Sequence, residues 1–472
     1  MSTAVSGPQV IDLGIGEEID VEVGDHMRHR VRLLEVTEIA DRIRSVIRNP
    51  RVAVEIDGNR TVLTSGLYST PQVVGGLKLD CAVTRGIARE IIKYRDLYAL
   101  DKDARLRFWS PKQCLFGQRP MTYPVRQRWF ASMTQLGNER TYVDGGELSL
   151  NRPDRHVYYH YGTDIGGYDK AVPVVAAAAG RIVRLGTGWS QDEEPDEYPR
   201  DDVVRILDDR GWRYRYSHLD MIDPALQLDQ HVEAGQFIGF LGQKGASGGW
   251  SHLHFGIRAP QPSGRPGQVN AYPFFVEAYL NENPGALLAC ARPHRTAGVG
   301  DDVRLDASNS ICDRGEIVDY CWTLSDGRSV TGSEATMCYD TEGMYSEMVT
   351  VRDDRGQTDV DFCVVQILPP DADPAKTPPT MHLTSFPTQG IWPGQPVAFK
   401  VRTFIRGPFA ENRSGIEEWD FGDGTRAVSC SDENFDERWH VYAEAGRYIV
   451  TVKRTAKNGR TATAQLKVIV EG

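Results

Sequence analysis

Short runs in which apolar and polar residues alternate recur along the whole chain, among them Val52–Ile56, Trp212–His218, His252–Ile257, Met348–Val351 and Val450–Val452. A period of two sends successive side chains to opposite faces of an extended backbone, so each run reads as a half-buried β-strand. The 46 Gly and 26 Pro supply turns between such strands. One segment breaks the pattern. Between Thr84 and Leu100, the residues Ile87, Ile91, Tyr94 and Tyr98 fall on one helical stripe and predict a helix packed on a core. The fold class predicted is mainly β and multidomain, and at ~150 residues per domain a chain of 472 residues suggests about three domains.

The chain divides by its punctuation. Residues 1–148 read as a mixed, mostly β domain with strands around an Asp57-Gly58-Asn59 turn and no group that carries chemistry. Residues 149–285 are short strands with Gly turns, ending at Asn283-Pro284-Gly285. Residues 286–369 and 379–472 look like diverged copies of one plan, joined by a Pro-rich linker at 370–378. The first copy has Tyr320-Cys321-Trp322, Ser325-Asp326-Gly327 and Gly343-Met344-Tyr345; the second has Trp419-Asp420-Phe421-Gly422-Asp423-Gly424, His440-Val441-Tyr442 and Gly446-Arg447-Tyr448. A Trp in a middle strand of so short a unit predicts a small β-sandwich. Asp326 and Asp423 read as turn residues, with calcium ligation as the alternative.

A net charge of −11 argues against nucleic acid as the main partner. The longest apolar stretch, Ala171–Ala179, is interrupted by Pro173 and falls short of the ~20 residues of a membrane span. The first residues lack a basic start and an apolar run, so no signal peptide is visible in this chain. Of the eight Cys, five lie between Cys290 and Cys363, and no CxxC pair occurs. That clustering predicts disulfides and an oxidising, extracytoplasmic compartment, with buried free thiols as the alternative.

Four elements in the second unit concentrate imidazoles and a carboxylate. His252 and His254, two apart on a strand, project together while Leu253, Phe255 and Ile257 face a core. His160 and Asp164 flank Gly162, and a bend there could bring both onto one cation. His218 ends a strand whose Trp212, Tyr214 and Tyr216 are predicted to share its face. Each element alone also has a plainer reading: a solvated His pair, an unrelated His and Asp, a histidine at the edge of a core. His156 reads as a surface histidine or one that supports the site, with a further ligand as the alternative, and Gln191–Asp202, with its seven carboxylates, as a solvated loop, with calcium binding or selection of basic peptides as the alternative.

Taken in order, His160-Tyr161-Gly162-Thr163-Asp164, the strand Val174–Val183, Tyr216-Ser217-His218-Leu219, Val232–Gly239 and His252-Leu253-His254-Phe255 resemble the lysostaphin-type, or LytM-like, zinc metalloendopeptidases. The two C-terminal units resemble PKD domains, the WDFGDG motif of the second being the more intact. The first resemblance implies a compact β-sheet zinc peptidase domain with one Zn2+ per chain on His160, Asp164 and His254, and with His218 and His252 as catalytic groups beside an open position. It implies an endopeptidase for peptidoglycan cross-bridges or stem peptides, with a catalytically silent binding protein or a peptidase for other proteins as alternatives. Tyr161 and Trp250 would line the substrate groove, and the PKD-like units would contact cell-wall or protein surfaces. Gly256 stands where such enzymes usually carry an acidic residue.

Overall fold

A computed structural model describes residues 7–24, 26–39, 47, 49–89, 97–132, 160–193, 199–369, 378–404, 415–431 and 435–472. Among these, only Arg85–Arg89 and Tyr272–Glu282 are α-helical, and the rest of the regular structure is strand. The helix expected over 84–100 begins as Arg85–Arg89, with Ile87 and Tyr98 buried in one small cluster with Val83. Ile91 and Tyr94 lie outside the described residues, as do His156 and all but the last residue of the Pro-rich linker.

The first unit builds two four-stranded antiparallel sheets around a shared apolar core of Leu13, Val31, Val54, Leu79 and Phe108. Asp57 and Gly58 both take positive φ, which closes the tight hairpin between Arg51–Ile56 and Asn59–Thr64. Arg105 and Arg107 are buried, each paired with a carboxylate (Asp12 and Asp80) that offsets the cost of removing charge from water.

The second unit centres on strand His252–Pro260, flanked by Arg213–Ser217 on one edge and by Thr163–Gly166 and Pro266–Val269 on the other. A three-stranded sheet, Pro173–Val175, Phe237–Leu241 and Leu219–Ile222, packs beside it. Tyr214, Tyr216, Phe255 and Ile257 fill the core from the central strands, and helix Tyr272–Glu282 closes it with Phe274, Phe275 and Ala278. The buried Tyr216 hydroxyl accepts the Ala177 N–H at 2.7 Å. Residues 115–130, which the sequence groups with the first unit, enter this core through Phe116, Tyr123, Val125 and Trp129. They are bound to it by backbone hydrogen bonds from Thr122 to Ala177 and from Val175 to Pro124.

The two C-terminal units are β-sandwiches built around Trp322 and Trp419, both buried in middle strands as the repeat predicts. Their larger sheets join into one nine-stranded sheet through the parallel bridge Met344↔Ala462. Asp326 accepts the Arg328 N–H and Asp423 the Thr425 N–H, so both serve the turns. The expected disulfides are not formed among the described residues, and Cys81, Cys290 and Cys363 are buried. The last sandwich folds back on the second unit. Lys400 meets Asp169 at 2.6 Å, Arg128 meets Glu471 at 2.8 Å, and Ser132 bridges Thr384. No described helix is long and apolar enough to cross a membrane.

Candidate metal centre

Register brings the first three residues together. Strand Thr163–Gly166 pairs antiparallel with His252–Pro260 so that Asp164 lies opposite His254 and Gly166 opposite His252. Just upstream the chain turns at Gly162, whose φ of +101° is open to glycine, and a Cβ there would lie 2.7 Å from the Phe255 carbonyl oxygen. That turn returns His160 to the same point. His160 Nε2, Asp164 Oδ1 and His254 Nδ1 stand 2.9 Å (His–His), 2.9 Å (His254–Asp164) and 3.1 Å (His160–Asp164) apart. All three side chains are buried. Tetrahedral zinc with bonds of about 2 Å separates its ligand atoms by about 3.3 Å, so the triangle fits a small divalent ion within a few tenths of an ångström.

The electrostatics suit the same use. Burial alone pushes the Asp164 carboxyl up, but the neighbouring His160 and His252 imidazoles, with hydrogen bonds from His160 and His254, hold it well below the usual carboxylate range. Burial pushes His254 down to about 4 against the pull of Asp164, and it lowers His252 well below its ordinary value. At neutral pH the set is therefore a carboxylate with two neutral imidazoles at His252 and His254, the ionisation that metal ligation requires. Among the described residues, His160, Asp164 and His254 are the one group of His, Cys, Asp and Glu close enough to hold an ion.

His218 reaches the site by a route the alternation does not predict. Tyr216 pairs with Phe255 and Ser217 with His254, so continued alternation would leave His218 on the core face with Tyr214 and Tyr216. Instead its φ of +69° reverses the chain and sets its ring 4.6 Å from that of His252 and 5.9 Å from that of His254. Asp202 holds this turn. It accepts the His218 N–H at 2.9 Å and the Arg200 guanidinium through both oxygens. Burial would raise its pKa, yet the hydrogen bonds from His218 and Arg200 bring it below the usual range. His218 Nδ1 lies 2.7 Å from the Lys244 carbonyl and 3.0 Å from Nη2 of Arg200, which leaves Nε2 as the ring nitrogen turned to the site. His252 Nδ1 likewise faces the Trp250 carbonyl at 3.2 Å. Its Nε2 lies 3.6 Å from Asp164 Oδ2.

Trp250 stacks on His252 at 3.6 Å between ring centres. Tyr161 lies edge-on to His254 at 5.8 Å. Both are half-buried at the rim. Three of the four described carboxylates of the acidic loop are paired with arginine: Asp192 with Arg181, Glu193 with Arg213 and Asp202 with Arg200, while residues 194–198 lie outside the described set. Asp202 and Arg200 are the positioning residues that the sequence conceals, because nothing distinguishes that carboxylate from its neighbours. A Cβ at Gly256 would meet only ordinary contacts at 3.9 Å, so no crowding accounts for the missing acidic residue.

Residues 158–267 match the model of peptidase family M23, and residues 281–367 that of the PKD domain. The chain carries an M23 peptidase domain. The matched range holds His160, Asp164, His218, His252 and His254. The PKD match falls on the first sandwich, although the second has the more intact motif. Three solved structures are similar in part. Lysostaphin from Staphylococcus simulans is 19% identical over 43% of this chain and 82% of its own, with a TM-score of 0.20. The catalytic domain of a mutant of the prophage-encoded M23 protein EnpA from Enterococcus faecalis is 24% identical over 27% and 85%, with a TM-score of 0.18. Csd3 from Helicobacter pylori is 14% identical over 58% and 79%, with a TM-score of 0.21.

Proposed function

We propose that this chain is a zinc-dependent endopeptidase that hydrolyses peptide bonds in peptidoglycan cross-bridges or stem peptides outside the cytoplasm. The observation that carries the reading is the buried triangle of His160 Nε2, Asp164 Oδ1 and His254 Nδ1 with two further imidazoles beside it. A zinc ion held by these three residues would polarise the scissile carbonyl and bring a water pKa down to about 7.

The protein's own groups divide the remaining work. His252 holds its Nδ1 against the Trp250 carbonyl and His218 holds its Nδ1 between the Lys244 carbonyl and the Arg200 guanidinium, so each has Nε2 left for the reaction. One accepts the proton of the attacking water and returns it to the leaving amine; the other, in the neutral tautomer with its proton on Nε2, would donate a hydrogen bond to the developing oxyanion, so no further proton is consumed. Asp202 fixes the backbone at His218, and Asp164 keeps negative charge 3.6 Å from His252. Trp250 and Tyr161 form apolar walls at the rim that keep bulk water from the imidazoles.

Metal analysis followed by digestion of purified peptidoglycan and defined muropeptides tests the reading. One zinc per chain is expected in the wild type. His254→Ala should lose both metal and hydrolysis. His252→Ala should keep the metal and lose at least about a hundredfold in kcat. A wild-type chain that takes up no zinc, or that takes it up and opens no peptide bond, would overturn the proposal.

A further inference from the structure

Beside the metal centre, on the far side of Trp250, lies a cavity of about 210 Å³ that belongs to two units at once. Asp169, Gln243, Trp250 and Ser251 come from the peptidase domain; His382, Thr384, Lys400, Arg402 and Phe435 come from the last sandwich. The Trp250 ring is shared. One face stacks on His252 at 3.6 Å, and His382 stacks on it at 5.0 Å. The cavity is therefore about one aromatic ring removed from the reacting groups.

Its polar lining is unbalanced in one respect. Lys400 is already neutralised, by Asp169 at 2.6 Å and Glu437 at 3.6 Å. Arg402 has no carboxylate at ion-pair distance among the described residues, and its Nε is buried without a hydrogen-bond partner. Ser251 Oγ and His382 Nδ1 are buried and unpartnered in the same way. Each of these residues lines the opening with hydrogen-bonding capacity that no described protein group uses. His382 adds no second cation, because burial pushes it down to about 4. What remains is one guanidinium, one hydroxyl and one neutral imidazole between the aromatic walls of Trp250 and Phe435. A guanidinium fork matches a carboxylate in plane and in spacing.

We propose that this cavity is a subsite for a carboxylate carried by the peptide substrate, within about two residues of the scissile bond, and that Arg402 is its specificity-determining residue. The inference rests on the peptidase reading and extends it. The last sandwich becomes part of the substrate site, and the preferred substrate is an acidic peptide. The carboxylate comes either from an acidic side chain or from a free C-terminus.

The test uses Ala/Gly heptapeptides in matched pairs, Glu against Gln at each position in turn and C-terminal acid against amide, with the zinc-loaded full chain. The wild type should favour the carboxylate member of one pair by about tenfold or more in kcat/KM, through KM. The pair that responds identifies the source. Arg402→Gln should abolish that preference, bringing kcat/KM of the carboxylate member down to that of its neutral partner, and Arg402→Lys should keep part of it. Equal treatment of every pair by the wild type, or a preference that survives Arg402→Gln, would overturn the subsite. If the wild type cuts no peptide, the peptidase reading fails, and calorimetric titration of the same peptides into the metal-stripped chain decides the subsite alone. Tighter binding of the acid member that is lost in Arg402→Gln supports it, and equal binding in the wild type refutes it.

Discussion

Gly162 does two jobs with one missing side chain. Its positive φ turns His160 back toward Asp164, and its bare Cα lets the Phe255 carbonyl and the His254 ring approach. Gly162→Ala should strain that backbone by about 1–3 kcal/mol and push His254 away from the other two ligands. Zinc affinity measured by competitive chelation should fall at least about tenfold, with a lower melting temperature alongside. Asp202 makes the complementary case, a residue that touches no reacting atom yet sets where one of them stands. Asp202→Asn keeps the shape but weakens the hold on the His218 amide and on Arg200. The expected outcome is about a tenfold to hundredfold fall in kcat with metal content and KM unchanged. A merely structural role would instead appear as a loss of soluble, metal-loaded protein.

At the scale of elements, the strand His252–Pro260 carries both chemistry and core. Its alternation alone shows that His252 and His254 share a face and that Leu253, Phe255 and Ile257 fill the other side; the burial of those three at 0% and the pairing with Asp164 agree. Phe255→Ala should therefore cost about 3–5 kcal/mol in chemical denaturation and abolish metal binding at temperatures the wild type tolerates. His218 was not legible in the same way. A period of two presumes that the strand continues, and one left-handed residue reverses the outcome. Residues 115–130 pack on the peptidase core, although the chain's punctuation groups them with the first unit, for a related reason. Their aromatic residues show no periodicity, so only tertiary packing reveals which core they serve. The cysteines misled because their spacing along the chain says nothing of the side-chain geometry that a disulfide needs.

For the molecule as a whole, the contact of the last sandwich with the peptidase domain was beyond the reach of local pattern. His382 lies far from Trp250 in sequence, and no run of residues announces their stacking. This contact carries a pH dependence. The His382 imidazole titrates near 4 when folded, against ~6.5 when free, with His294 as a further repelling imidazole. Between these values the unfolded chain holds a proton that the folded chain does not, so stability present above about pH 6.5 is lost as the pH falls toward 4. Lowering the pH from 7.5 to 5 should cost the wild type about 1–2 kcal/mol more than His382→Phe, read from denaturant midpoints at the two pH values.

The bridge at Met344 has a consequence for how this chain can be taken apart. Met344 belongs to the first sandwich by sequence, yet its side chain is counted in the apolar core of the second, where Val468 and Leu466 also lie. The two modules are thus not interchangeable beads on a string. A cut between them would leave a hydrophobic stub on one fragment and a hole in the other, and either fragment produced alone should self-associate in light scattering where the tandem pair does not.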